Sequence, residues 1–436
     1  MALELNNKKY LVLCVMLISL NHHINGANGA HAATGSKPQA PANGSTAAAP
    51  HSGTPELQVP KYATKDEPWV MSNGKLISSN KPKSINVDGI GTPAGGQPQV
   101  PCYFIFGDSL VDAGNNNNLI TLAKANYKPY GIDFKPVGAT GRFSNGKTTI
   151  DFTSEILGFD HYIPPSEQTN GKDMLQGLNF ASAAAGIRDD TAHHLGDRIS
   201  MSRQVESFKT KVGEMAGLLG GPKNTTAYLG KCLYQVGLGS NDYLNNYFVP
   251  SIYPTSKQLT PEQFADDLIK QYTTHLMVIY NLGARKIALT GVSQVGCSPN
   301  ALARNSQDGT CIKSFNDANE MFNTRLRTLT DTLNKQHPDA KFTYVNSFGI
   351  FQDLKDKAAT LGFKNTNSGC CGVGKYHGQI TCLPGLTTCR NRTEYLFWDA
   401  YHPTEATNKI VSRRAYIKES PTDAYPYDIH TLLTLK

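Results

Sequence analysis

The chain has 436 residues, 18% charged and 39% hydrophobic, which argues against a disordered protein and allows one large or two medium domains. Its formal net charge of +7 is not gathered into long Lys/Arg blocks, which argues against a dedicated nucleic-acid binder. The surplus suits solubility or attraction to acidic surfaces such as cell-wall polymers.

At the N-terminus, Lys8 and Lys9 precede an apolar run over residues 10–20 that is too short to span a bilayer as a helix. Small residues follow, so residues 1–32 read as an export signal, with cleavage near Ala27 or after Ala32. No later stretch is long and apolar enough to insert stably in a membrane, and secretion to the extracellular space or apoplast is the expectation. Residues 33–98 are rich in Ala, Pro, Gly, Ser and Asn without apolar periodicity, and read as a flexible leader. Without Cys14, eight cysteines remain: Cys102, Cys232, Cys297, Cys311, Cys370, Cys371, Cys382 and Cys389. An even number in an exported chain points to disulfides, and the last four lack the paired spacing of a zinc site. Cys297 with Cys311 is the natural local pair, the last four can close two loops among themselves, and Cys102 with Cys232 either bridge or stay buried thiols. Asn43, Asn224 and Asn391 are glycosylation acceptors of the same compartment.

Order is expected from Val100. The run Cys102-Tyr103-Phe104-Ile105-Phe106 reads as a buried strand, stopped by the turn Gly107-Asp108-Ser109. A loop rich in turn formers, residues 141–147, precedes helical spacing over 148–157. Residues 177–187 carry small side chains that allow close backbone approach. A second strand over 233–238 ends at Gly239-Ser240-Asn241-Asp242. Thr260, Pro261 and Gln263 form a capping box that opens a helix whose inward stripe is Phe264, Leu268, Tyr272, Leu276 and Ile279. A strand over 286–290, a helix over 312–333 and a strand over 342–346 follow. A cysteine-rich loop, residues 369–389, then precedes Asp399-Ala400-Tyr401-His402-Pro403 and a short final helix. Strands alternating with helices imply parallel βαβ units with helices on both faces of one sheet. The loops after Ser109 and Asn241 should then share the rim at the C-terminal strand ends.

A serine nucleophile needs a base, an orienting acid and oxyanion donors. No Gly-x-Ser-x-Gly elbow occurs; Gly291-Val292-Ser293 lacks the second glycine and reads as loop structure. Asp-x-x-His occurs twice, as Asp190-x-x-His193 and Asp399-x-x-His402, and Pro403 favours the second by fixing a helix start beside it. The Asn241 amide is either an oxyanion donor or a turn residue satisfying its own backbone. The absence of Gly-x-Gly-x-x-Gly after any strand argues against nucleotide binding.

Gly107-Asp108-Ser109-Leu110-Val111-Asp112, Asn179-Phe180-Ala181-Ser182, Gly239-Ser240-Asn241-Asp242 and Asp399-x-x-His402-Pro403 resemble, in order and spacing, four blocks of the plant-type GDSL esterase/lipase family within the SGNH hydrolases. The resemblance runs from about Val100 to Pro421. It implies an α/β domain over 99–421, a three-layer α/β/α sandwich on a mostly parallel five-stranded, flavodoxin-like sheet, with residues 422–436 as a tail. It implies Ser109 as nucleophile, His402 as base and Asp399 as its partner, and an oxyanion hole from the Ser109 N–H, Asn241 and a second-block N–H, assigned by position to Ala183. Ala183-Ala184-Ala185 departs from the family's usual glycines. The activity implied is a monomeric, secreted serine esterase or lipase acting on carboxylic esters, without metal or cofactor. An acyltransferase using the same site, and a catalytically silent binding protein, are the alternatives.

Overall fold

The computed structural model describes residues 69–72, 75–78 and 96–435. The export signal, most of the leader and Asn43 lie outside the described residues. Within the stretch expected to be featureless, β1 (Trp69–Ser72) and β2 (Lys75–Ser78) form an antiparallel hairpin. The signal for it is in the sequence, because Asn73-Gly74 separates two β-prone runs.

The main sheet has the order β3 (Tyr103–Gly107), β4 (Leu233–Gly237), β5 (Lys286–Thr290), β6 (Lys341–Val345) and β9 (Ala424–Tyr425). The first four run parallel, while β9 pairs antiparallel with Tyr344 and Val345. A separate parallel pair joins β7 (Asn365–Gly369) to β8 (Tyr395–Phe397). Both faces of the main sheet are covered, as parallel strands require. Alternate residues of β3 therefore enter different cores. Phe104 and Phe106 pack with Phe208 of α2 (Met201–Leu219), Phe264 of α4 (Pro261–Asn281) and Phe322 of α6 (Lys313–Gln336). Tyr103 and Ile105 pack on the other side with Ile150 of α1 (Thr149–Leu157) and Tyr416 of α8 (Glu405–Tyr416). This is the three-layer α/β/α sandwich. The remaining α-helices of six or more residues among the described residues are α3 (Pro222–Leu229), α5 (Pro299–Asn305), α7 (Ser347–Asp356) and α9 (Ile429–Thr434).

The capping box of α4 forms as the sequence indicates: Thr260 Oγ1 accepts from the Gln263 N–H at 3.3 Å, and Gln263 Oε1 accepts from the Thr260 N–H at 2.9 Å. Within the stretch expected as a tail, residues 424–434 supply the fifth strand and α9, whose Ile429 and Leu432 are fully buried. Asp423 accepts from Arg414 of α8 at 2.9 Å, which ties this segment to the domain. Four disulfides close, pairing Cys102 with Cys232, Cys297 with Cys311, Cys370 with Cys389 and Cys371 with Cys382. The first links the residues that enter β3 and β4, where the Leu233 N–H donates to the Cys102 carbonyl at 3.0 Å.

Candidate active site

β3 delivers Ser109 to the rim. A Cβ on Gly107 would lie 2.4 Å from Val111 Cγ2 and 3.3 Å from the Gly237 carbonyl, so glycine is required where the chain turns against β4. The Asp108 carbonyl accepts from Val111 and Asp112, and its carboxylate accepts from the Leu110 N–H at 3.0 Å, which closes the turn. Ser109 is left partly exposed.

β8 delivers Asp399 and His402 from the far end of the chain. Asp399 Oδ1 accepts from the N–H groups of Tyr401 and His402, each at 2.8 Å, winding the loop around the carboxylate. His402 Nδ1 lies 2.8 Å from both Asp399 oxygens, and its Nε2 lies 2.7 Å from Ser109 Oγ. A carboxylate at Nδ1 favours the tautomer with its proton there, leaving Nε2 free to accept from the serine. The Thr404 hydroxyl caps α8 through the Thr407 N–H, fixing the loop's exit. Phe143, from the turn-rich loop, packs its ring 4.9 Å from the imidazole. Burial alone would raise the Asp399 carboxyl's pKa, but the charge and hydrogen bond of His402, with the Tyr130 hydroxyl and the Tyr401 N–H, hold it below the usual carboxylate range.

Two strips flank Ser109. On one side residues 178–182 run along β3, with Phe180 N–H donating to the Ile105 carbonyl at 2.8 Å and Ser182 N–H to the Gly107 carbonyl at 3.1 Å. On the other side β4 leads to Asn241, whose Nδ2 donates to the Ala185 carbonyl at 3.0 Å while Oδ1 accepts from Asn245 at 2.8 Å. One amide proton of Asn241 is thereby left for a ligand. Two of the four asparagines after Ser109 serve the same architecture. Asn115 Nδ2 donates to the carbonyls of Asn179 and Ala181, and Asn116 Nδ2 to that of Ala183.

The expected Ala183 donor is corrected here. Its N–H donates to the buried Asp112 carboxylate at 3.0 Å, which also accepts from Gly114 and Asn115, so it is already committed. The neighbouring Ala184 N–H makes no hydrogen bond among the described residues, and Ala184 itself sits in the left-handed region at a φ of 65°.

The other sequence candidates stand apart from this group. His193 is exposed and its Nδ1 meets the Asp190 backbone carbonyl, not the carboxylate, at 2.8 Å. The Ser293 carbonyl accepts from the Val295 N–H, in keeping with its reading as loop structure. Asn224 is exposed on α3 and Asn391 is exposed before a 3₁₀ turn. Sequence reasoning missed two residues, Phe143 and Tyr130. The Tyr130 hydroxyl donates to Asp399 Oδ2 at 2.5 Å, and neither residue belongs to a spacing pattern that would single it out.

A parallel-sheet α/β/α domain whose rim brings a carboxylate, an imidazole and a hydroxyl into one hydrogen-bonded chain is the architecture of an ester hydrolase. Comparison with known proteins gives the family. The family described as GDSL-like Lipase/Acylhydrolase matches residues 103–415. The GDSL esterase/lipase At1g29670 of Arabidopsis thaliana is 57% identical over 339 residues, covering 78% of this chain and 93% of its own length. GDSL esterase/lipase At1g29660 of the same plant is 54% identical over 348 residues, covering 80% of this chain and 95% of its own length. The chain belongs to the GDSL-like lipase/acylhydrolase family and is a carboxylic ester hydrolase. Among the described residues no helix is long and apolar enough to cross a membrane.

Proposed function

We propose that this protein is a secreted serine esterase that cleaves carboxylic esters through an acyl-enzyme formed on Ser109. The observation that carries the reading is the continuous chain Ser109 Oγ, His402 Nε2, His402 Nδ1, Asp399, with links of 2.7 and 2.8 Å. His402 takes the hydroxyl proton as Ser109 attacks the ester carbonyl, and returns it to the leaving alcohol when the tetrahedral intermediate collapses. Water activated by the same imidazole then attacks the acyl-enzyme, releasing the acid and restoring the serine. Asp399 keeps the imidazole oriented and stabilises its protonated form. The oxyanion is met by the Ser109 N–H, the free Asn241 amide proton and, in place of Ala183, the Ala184 N–H.

The disulfides and the N-terminal apolar run support export to an oxidising extracellular compartment, with Asn43, Asn224 and Asn391 as glycan acceptors. The catalytic unit runs from residue 99 through α9, and because one chain carries all three residues of the relay, a monomer suffices. The test is hydrolysis of short-chain nitrophenyl esters by purified protein. Wild type turns them over and Ser109→Ala does not; undiminished activity in Ser109→Ala would sink the assignment.

A further inference from the structure

The relay does not end at Asp399. Tyr130 is 1% exposed and Asp399 fully buried, and the phenol donates to Asp399 Oδ2 at 2.5 Å, while both oxygens also face His402. The backbone donors hold Oδ1 alone, and without the phenol Oδ2 has only the ring nitrogen that both oxygens share. A phenol on the side away from the backbone donors Tyr401 and His402 fixes the carboxylate, because each oxygen now has a fixed donor of its own.

Tyr130 is in turn held from three directions. Its ring meets Tyr127, Phe143 and Trp398 edge-on, at 5.3, 5.7 and 6.2 Å between centroids. Its oxygen lies 3.4 Å from the Thr381 hydroxyl. Thr381 precedes Cys382, whose carbonyl accepts from the Tyr127 hydroxyl at 2.9 Å and whose sulfur is bonded to Cys371. The Cys371 N–H itself donates to the Trp398 carbonyl, immediately before Asp399, at 2.7 Å. The cysteine-rich loop therefore grips both the tyrosine and the strand end that carries the acid.

We propose that Tyr130 is a positioning residue of the ester hydrolase, which locks the Asp399 carboxylate for His402 and withdraws charge from it, and that the loop closed by Cys371–Cys382 holds it there. The proposal rests on the triad reading given above. Removing the phenol oxygen leaves a looser and more basic carboxylate. The imidazole is then aligned less often, and the carboxylate beside it carries more of its charge. Other ionisable groups around this pair are Tyr127 beside Tyr130, Asp108 facing His402 from the β3 turn, and Arg304 of α5 facing Tyr401. None is altered by the change.

The experiment compares Tyr130→Phe with wild type on a nitrophenyl ester across pH, with Ser109→Ala as reference. The expected result is a kcat lower by about tenfold with KM held within about twofold, and an acid limb of kcat/KM moved upward by about half a pH unit. Site-specific 3-fluorotyrosine at position 130 keeps the shape, is a stronger hydrogen-bond donor, and moves the limb the opposite way. It also covers the case in which Tyr130→Phe does not fold. A folded Tyr130→Phe with wild-type kcat and profile, or a fluorotyrosine enzyme with an unmoved limb, overturns the proposal while an inert Ser109→Ala leaves the triad reading standing. Activity in Ser109→Ala overturns the triad reading itself.

Discussion

Asn241→Ala separates catalysis from architecture, because the amide has a proposed task in the first and observed hydrogen bonds in the second. In catalysis, one proton of Nδ2 is the proposed oxyanion donor, and loss of such a donor costs about 10²–10³ in kcat, or about 2.7–4 kcal/mol of transition-state stabilisation. In architecture, the other proton donates to the fully buried Ala185 region at 3.0 Å and Oδ1 accepts from Asn245 at 2.8 Å. Losing two neutral hydrogen bonds at about 1 kcal/mol each lowers stability by about 2 kcal/mol, which a domain stable by about 5–15 kcal/mol survives. The protein is thus expected to fold, bind a serine-directed phosphonate at Ser109 and turn over ester at no more than about 1% of the wild-type rate. Urea denaturation measures the first term, and steady-state hydrolysis normalised to phosphonate-titratable sites measures the second. The result that refutes the reasoning is a folded Asn241→Ala enzyme with kcat within about threefold of wild type, which would reduce the amide to a strut between Ala185 and Asn245.

Two further changes test the surroundings of the site. Burial pushes the Asp108 carboxyl from 3.8 to about 6, against the lowering effect of the Leu110 N–H. Its folded-state pKa is therefore above its unfolded value, so the native protein binds the proton more tightly, and this group's contribution to stability declines as pH rises from about 4 to 6, by about 3 kcal/mol in all. Asp108→Asn can keep the Leu110 hydrogen bond without the charge, and is expected to gain stability over wild type at pH about 7.5, with the gap closing near pH 4; a gap independent of pH in urea titrations counts against this. Arg142 donates to both Asp151 oxygens, at 2.8 and 2.7 Å, with the carboxylate fully buried. Arg142→Met strands that charge, and a loss of about 3–5 kcal/mol is expected in the same assay, together with lower activity because Phe143 leaves the His402 ring; a loss under about 1 kcal/mol contradicts it.

The sheet was legible because its strands are apolar, β-rich runs that stop at glycine or polar turns, and all four parallel strands fall within a residue of where pattern places them. β9 was not, since two residues carry no periodicity and its place depends on the Arg414–Asp423 pair and the buried Ile429 and Leu432. Ser109, Asp399 and His402 could be read because their spacing within each block is local. Tyr130 could not, because it meets Asp399 across 269 residues and nothing in its own loop marks it. The oxyanion strip shows the intermediate case. Small residues over 183–185 announce a close approach, but which N–H is free depends on where the Asp112 carboxylate lies, and that is a fact of packing. Disulfide pairing divides the same way. The local pair Cys297–Cys311 follows from separation, whereas the adjacent Cys370 and Cys371 take partners only geometry can choose.

The separation of 293 positions between Ser109 and His402 also sets a clock. At a synthesis rate of about 5–20 residues per second, the hydroxyl is made about 15–60 s before the imidazole that would activate it. The first strand of the sheet can form while its chemistry is still absent, and β9, which follows the histidine, closes the sheet's edge only afterwards. On the proposed relay, a nascent chain that lacks His402 is inert toward esters, and ester turnover in a translation reaction reports only chains that have passed the histidine.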